Sequence, residues 1–168
     1  MISDVHYPSK RVQARESSMS HSNSVVLLVE DNELDIELMQ LSLQRCSYPI
    51  DCRVVRDGEQ CIAFLNKLGP YADAPTPELI LLDLNMPRMN GMEVLDAINA
   101  APELHLLPVV VLTTSNQPED IRGAYARRCS GYVIKPFGYS ELESAVRVLM
   151  DYWLSLVSLP IDAERLSY

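Results

Sequence analysis

What the sequence lacks narrows its chemistry before any motif is considered. Its four cysteines, at positions 46, 52, 61 and 129, form no CxxC pair, and no histidine stands at ligand spacing from them. Structural zinc and a disulfide framework are therefore not expected; free, mostly buried thiols in a reducing cytoplasm are. Long hydrophobic runs are missing too. The longest are of four or five residues, as at 25–29 and 109–112, and fall far short of the roughly 20 residues a membrane helix needs. The N-terminal MISDVHYPSKRVQARESSMSHSNS has no apolar stretch of signal-peptide type. Positive charge is scarce: 14 Lys and Arg face 23 Asp and Glu, for a net charge of −9. Three basic and two acidic residues precede Val25, so 11 basic and 21 acidic residues remain for the rest of the chain. Such a chain has no global electrostatic attraction to nucleic acid or to an anionic membrane, and neither is expected as a partner.

What is present suffices for a core. The chain has 168 residues, 48% hydrophobic and 22% charged, which fits one domain. Short β-branched or Leu-rich runs occur at 25–29, 52–55, 79–82, 109–112 and 132–134. Amphipathic segments at 34–45, 59–67, 92–100, 119–127 and 142–156 alternate with them. Asn90 with Glu93, and Ser140 with Glu143, have the spacing of a helix cap and its third residue, and Pro118 suits a first helical position. Short apolar strands alternating with helices predict an α/β fold, a doubly wound parallel sheet covered on both faces. The expected organisation is an N-terminal extension at 1–24, a domain at 25–158 with an extended C-terminal helix, and a tail at 159–168.

In such a sheet ligands bind beyond the carboxyl ends of the strands. Glu30 and Asp31 follow the first run, Asp83 the third, Thr113 ends the fourth and Lys135 follows the fifth. Three carboxylates gathered at one edge repel one another, and a hard divalent cation such as Mg²⁺ relieves them. Glu30 and Asp31 fit a metal shell; Asp83 fits a ligand or a nucleophile, since aspartate can form an aspartyl phosphate. Lys135, the Thr113 hydroxyl and backbone N–H groups near Asn85 could then stabilise a transferring phosphoryl group. Each residue alone has a plainer role. Glu30, Asp31 and Asn32 could cap the first helix, Asp83 could belong to an ordinary turn, and Lys135 could be a solvated charge. The series Asp31-x-Glu33-x-Asp35 lacks the glycine of a calcium loop. The joint occurrence at four strand ends is what carries weight.

The segments VVLLVEDN at 25–32, LILLDLNMPRMNGMEVL at 79–95, PVVVLTTS at 108–115 and GYVIKPF at 131–137 resemble the receiver domain of bacterial two-component response regulators. The resemblance spans about residues 25 to 155 and implies five parallel strands in the order 2-1-3-4-5 with five helices. It implies Asp83 as phospho-acceptor, Glu30 and Asp31 as Mg²⁺ ligands with Mn²⁺ as a substitute, and Asn85 as a backbone-carbonyl ligand. Thr113 and Lys135 would contact the phosphoryl group, Tyr132 would be the switch aromatic, and the Lys135–Pro136 bond would be cis. Pro87 and Gly91 match the loop after the acceptor. The implied partner is a sensor histidine kinase, and the chain would catalyse only its own phosphorylation and dephosphorylation. With no room for a DNA-binding output, the expected output is a protein contact or onward phosphotransfer.

The last helix places Leu142, Val146, Leu149, Trp153 and Leu156 at alternating spacings of four and three, a seam of coiled-coil type. Core packing explains its first half. Leu149, Trp153 and Leu156 are the expected interface of a homodimer, and DYWLSLVSLP at 151–160 also resembles receivers that partner phytochrome-type kinases, bacteriophytochromes among them. Two rivals stay open: a haloacid-dehalogenase-type phosphatase, which would need a second acid where Asn85 stands, and an interaction module whose aspartate is never phosphorylated.

Overall fold

The structure, a computed structural model, describes residues 23–160. Five strands, β1 (Ser24–Val29), β2 (Ile50–Val55), β3 (Leu79–Leu82), β4 (Val109–Thr113) and β5 (Gly131–Ile134), form one parallel sheet in the order β2-β1-β3-β4-β5. The α-helices are α1 (Glu33–Gln44), α2 (Gly58–Leu65), α3 (Gly91–Ala100), α4 (Pro118–Ala126) and α5 (Tyr139–Met150). This is the expected architecture. β1 lies between β2 and β3, with Val26 opposite both Cys52 and Leu79.

Strand side chains alternate between two cores. Leu27, Val29, Ile80, Leu82 and Val111 pack with Phe64, Val94 and Ile98 beneath α2 and α3. Val26, Leu28, Leu79, Leu81, Val110 and Leu112 pack with Ile36, Met39, Leu142 and Val146 beneath α1 and α5. Being covered on both faces, β3 needs four apolar residues in succession, LILL, all of them buried. Burying each such side chain is worth about 1.5–3 kcal/mol.

Helix starts follow the sequence in most cases. Asn90 and Glu93 form a complete capping box, and Pro118 occupies the first turn of α4. Ser140 is a correction. Extended Gly138 caps α5 instead, so Ser140 lies inside the first turn. Glu143, expected to complete that box, accepts a hydrogen bond at 2.6 Å from Arg45, the residue that caps the C-terminus of α1.

The C-terminal helix is the larger correction. α5 stops being α-helical at Met150 and continues as a π-helical turn over Asp151–Leu156, with Val157 N–H donating to the Tyr152 carbonyl five residues back. The wider turn keeps steps of four and five residues on one face. The buried stripe therefore runs Leu142, Val146, Met150 and Leu154 rather than along the four-three seam, and Leu159 packs against the same core from beyond the helix end. Leu159, placed in the tail by the sequence reading, is 4% exposed. Leu149 and Trp153 are partly buried against this core, whereas Leu156 is 63% exposed. Residues 1–22 of the expected extension and 161–168 of the expected tail lie outside the described residues.

Leu154 thus belongs to the folding core. Leu154→Ala should cost about 2–5 kcal/mol in urea unfolding, and Leu156→Ala should stay within about 0.5 kcal/mol of the parent.

Candidate functional site

The hydrogen-bond ladder continues past the strand ends and fixes the side chains that matter. Glu30 N–H donates to the Val55 carbonyl at 3.0 Å and Asp83 N–H to the Val29 carbonyl at 3.0 Å. Lys135 N–H donates to the Thr113 carbonyl at 2.7 Å. Glu30, Asp83 and Lys135 therefore have backbones as rigid as the sheet, and all three are buried.

These anchors bring Glu30, Asp31 and Asp83 together: each offers a carboxylate oxygen, and the three lie within 4.8 Å of one another. Glu30 and Asp83 are buried; Asp31 faces solvent. Lys135 Nζ lies 2.5 Å from Glu30 Oε2, 2.7 Å from Asp35 Oδ2 and 4.0 Å from Asp83 Oδ1. Burial pushes the Glu30 carboxyl above the usual carboxylate range, and its bond and attraction to Lys135 offset this only in part. For Lys135 burial works downward, but the hydrogen bonds to Asp35 and Glu30 and the nearby Asp83 outweigh it and raise the ammonium pKa. Lys135 is thus a firmly charged cation inside an acidic cluster.

The loop after Asp83 is held from two sides. Asn85 N–H donates to Asp83 Oδ2 at 3.1 Å. Gly91 starts α3 so tightly against the end of β3 that an added Cβ would lie 2.4 Å from the Asp83 carbonyl oxygen. At the loop's far side Gly58 N–H donates to the Met89 carbonyl at 3.2 Å. The Arg88 guanidinium pairs with Asp57, which is 1% exposed and also accepts from Gln60 N–H at 2.8 Å as the cap of α2. Arg88 has φ +63°, a conformation that costs a non-glycine residue about 1–2 kcal/mol, so the pair helps to hold the loop in place. A cleft of about 530 Å³ opens beside this loop, lined by Asp31, Asn85, Met86, Pro87 and Asp120 among others.

Thr113 and Tyr132 form a separate set around Ser115. Thr113 is fully buried, and its hydroxyl accepts from Ser115 N–H at 3.4 Å. Tyr132 donates its hydroxyl to the Ser115 carbonyl at 3.0 Å, and Ser115 donates to Asp120 Oδ2 at 2.5 Å. Tyr132 also lines a groove with Tyr125, Val148, Leu149, Tyr152 and Trp153. Leu149 and Trp153 of the expected interface therefore share a groove with Tyr132, whereas Leu156 is not among the residues lining it.

Two expectations change. No peptide bond among the described residues is cis, so Lys135–Pro136 is trans. The two isomers of an X–Pro bond differ by only about 0.5–1 kcal/mol, and a resemblance does not decide between them. The sequence reading also missed Asp35, Asp57 and Arg88 as parts of the site. Asp35 carried a faint signal, an acid one helical turn after Asp31; the Asp57–Arg88 pair spans 31 positions and left none. The four cysteines are free as expected, and burial pushes the Cys52 thiol up to about 11 and that of Cys61 up to about 12, which keeps them inert.

A five-stranded parallel sheet with acids, a hydroxyl and a lysine at its carboxyl edge defines a phosphoryl-handling signalling domain. Residues 26–147 match the sequence model of the family described as response regulator receiver domain, and the chain belongs to that family. Response regulator Rcp1 of Synechocystis is 39% identical over 144 residues, covering 86% of this chain and 98% of Rcp1. The phosphorylated cyanobacterial phytochrome response regulator RcpA superposes with a TM-score of 0.80 at 41% identity, covering 83% of this chain and 99% of RcpA. The Mn²⁺-bound form of Rcp1 does so with a TM-score of 0.77 at 39% identity, covering 82% and 99%. Membership implies a histidine kinase as partner. No described helix is long and apolar enough to cross a membrane.

The clamp on the loop after Asp83 is measurable. Asp57→Ala, which removes both the α2 cap and the partner of Arg88, should lower stability by about 1–2 kcal/mol in thermal or urea unfolding. Arg88→Ala, on the exposed side of the pair, should cost less than about 1 kcal/mol.

Proposed function

We propose that Asp83 accepts a phosphoryl group from the phosphohistidine of a phytochrome-type sensor kinase, and that the phosphorylated chain signals through protein contacts in the cytoplasm. The carrying observation is the convergence of Glu30, Asp31 and Asp83 within 4.8 Å, with a buried lysine 4.0 Å from Asp83. The three carboxylates are hard oxygen donors that fit Mg²⁺ or Mn²⁺, and the family resemblance adds the Asn85 carbonyl as a further ligand. When bound, the cation would neutralise charge on the transferring phosphoryl oxygens.

This chain's residues supply the rest. The Asp83 carboxylate attacks phosphorus, a P–O bond forms, and the P–N bond to histidine breaks. The imidazole, protonated on its other nitrogen, leaves neutral. Asn85 N–H orients the attacking carboxylate, and Lys135 places fixed positive charge beside it, which is the positioning such a loose transition state needs. Hydrolysis returns the carboxylate, and no reaction on any other substrate is assigned. The Ser115-centred contacts couple Thr113 to Tyr132, so that movement of Thr113 toward the phosphoryl group would disturb the groove at Leu149 and Trp153.

Incubation with Mg²⁺ and acetyl phosphate should give an acid-stable, base-labile adduct on the parent chain and none on Asp83→Asn. Rapid turnover of many phosphomonoesters would instead support the phosphatase reading, and absence of any adduct the constitutive module.

An apolar strip beside and beyond that groove supports a homodimer. Val148, Tyr152 and Leu156 are 65%, 49% and 63% exposed beside Leu149 and Trp153, an apolar strip that a second copy would cover. Sedimentation of the Val148→Asp/Leu156→Asp double variant should show a monomer where the parent chain sediments as a dimer. Both side chains are exposed, so the core at Leu154 and Leu159 is untouched; an unchanged dimer would sink the idea.

A further inference from the structure

Asp35 lies outside the acidic trio, yet it is a principal holder of the site lysine. Its Oδ2 stands 2.7 Å from Lys135 Nζ, close to the 2.5 Å of Glu30 Oε2 and well inside the 4.0 Å of Asp83 Oδ1. Lys135 is 8% exposed, so carboxylates rather than water must solvate its charge. Glu30 is committed in two directions already. Its Oε1 accepts from Asn32 N–H at 3.0 Å while Oε2 holds the lysine. A divalent cation at Glu30, Asp31 and Asp83 would draw on the same Glu30 carboxylate and repel the ammonium. Asp35 is then the carboxylate left to keep Lys135 in place. Its own backbone is fixed independently of its side chain, because its N–H donates to the capping Asn32 at 3.1 Å.

The geometry points to Asp35 as a positioning residue for phosphoryl transfer, one that retains the Lys135 ammonium beside Asp83 when a divalent cation shares Glu30. This rests on the reading of Asp83 as acceptor. Without the Asp35 carboxylate, lysine and cation compete for Glu30: the cation binds more weakly, and the ammonium is no longer poised for the incoming phosphoryl group. Asp35 also lies in the first turn of α1, where any carboxylate favours the helix. A purely structural role would therefore be independent of Lys135.

The full-length chain tests this in five forms: parent, Asp35→Asn, Asp35→Glu, Lys135→Ala, and Asp35→Asn with Lys135→Ala. Mg²⁺ affinity is measured by titration calorimetry without a phosphodonor, and labelling rate with acetyl phosphate at saturating Mg²⁺. Asp35→Asn should weaken Mg²⁺ binding and slow labelling by about tenfold each, the low end for losing a partner that orients a site residue. Asp35→Glu, which keeps the charge, should restore both. In the Lys135→Ala background Asp35→Asn should change Mg²⁺ affinity less than about twofold, the size of a residual long-range charge effect. An unaltered affinity and rate in Asp35→Asn, or an equal loss of affinity with Lys135 already removed, would overturn the proposal. A parent chain that takes no label refutes the Asp83 reading instead, and the calorimetric cycle still decides the role of Asp35. Should Asp35→Asn fail to fold by circular dichroism, Asp35→Ser takes its place in the same cycle.

Discussion

One buried ammonium among four carboxylates is the interaction on which the functional edge depends. Glu30, Asp31 and Asp83 are gathered within 4.8 Å, Asp35 stands nearby, and Lys135 Nζ reaches three of the four within 4.0 Å. Two like charges 4 Å apart repel by about 4 kcal/mol at an effective dielectric of about 20. That exceeds the roughly 1.5–3 kcal/mol contributed by one buried leucine. The cluster persists because Lys135 bonds to Glu30 and Asp35, and because ladder bonds fix the backbones of Glu30, Asp83 and Lys135. The compensation is incomplete: Glu30 remains above the usual carboxylate range despite its lysine partner. A further positive charge is what such a cluster accepts.

The division between fixed and movable parts follows from the hydrogen bonding. Glu30, Asp83 and Lys135 are tied to neighbouring strands by backbone bonds, so the reacting groups cannot drift. The Thr113 hydroxyl, the Ser115 main chain and the Tyr132 hydroxyl are tied to one another mainly through a loop. Loop bonds of this kind open more cheaply than ladder bonds. The chemistry proposed for Asp83 would therefore sit on the rigid part, and the contacts proposed to relay it on the part that can rearrange.

How much of this was legible in the sequence depended on how local each feature was. β3 was placed to the residue at 79–82, because four consecutive apolar residues in a parallel sheet admit only a strand buried on both faces. The site acids and Lys135 were legible for the same reason: each directly follows a strand. β2 began two residues earlier than expected, at Ile50, since an edge strand tolerates the charged Asp51 and Arg53, which bond to each other at 2.8 Å. Asp35 as a partner of Lys135, 100 positions away, and Arg88 as a partner of Asp57 were not legible, because only the fold brings them together. Nor could a four-three spacing distinguish an α-helix from the π turn at Asp151–Leu156, which turns Leu154 into the core.

The buried charges also argue about purpose. A buried ion pair is weak evidence for stability, since apolar residues of similar volume often serve as well or better. The surrounding core is built for that substitution, with Leu27, Leu28, Leu81 and Leu82 all almost completely buried on the same strands that carry Glu30 and Asp83. Stability alone would favour continuing those strands with further leucines. The chain instead places an acid directly after β1 and β3 and a lysine directly after β5, and adds Asp35 to satisfy the lysine. An arrangement that forgoes easy core packing at several strand ends at once, all on one edge, is one that folding alone does not account for and that fits the chemistry proposed for Asp83.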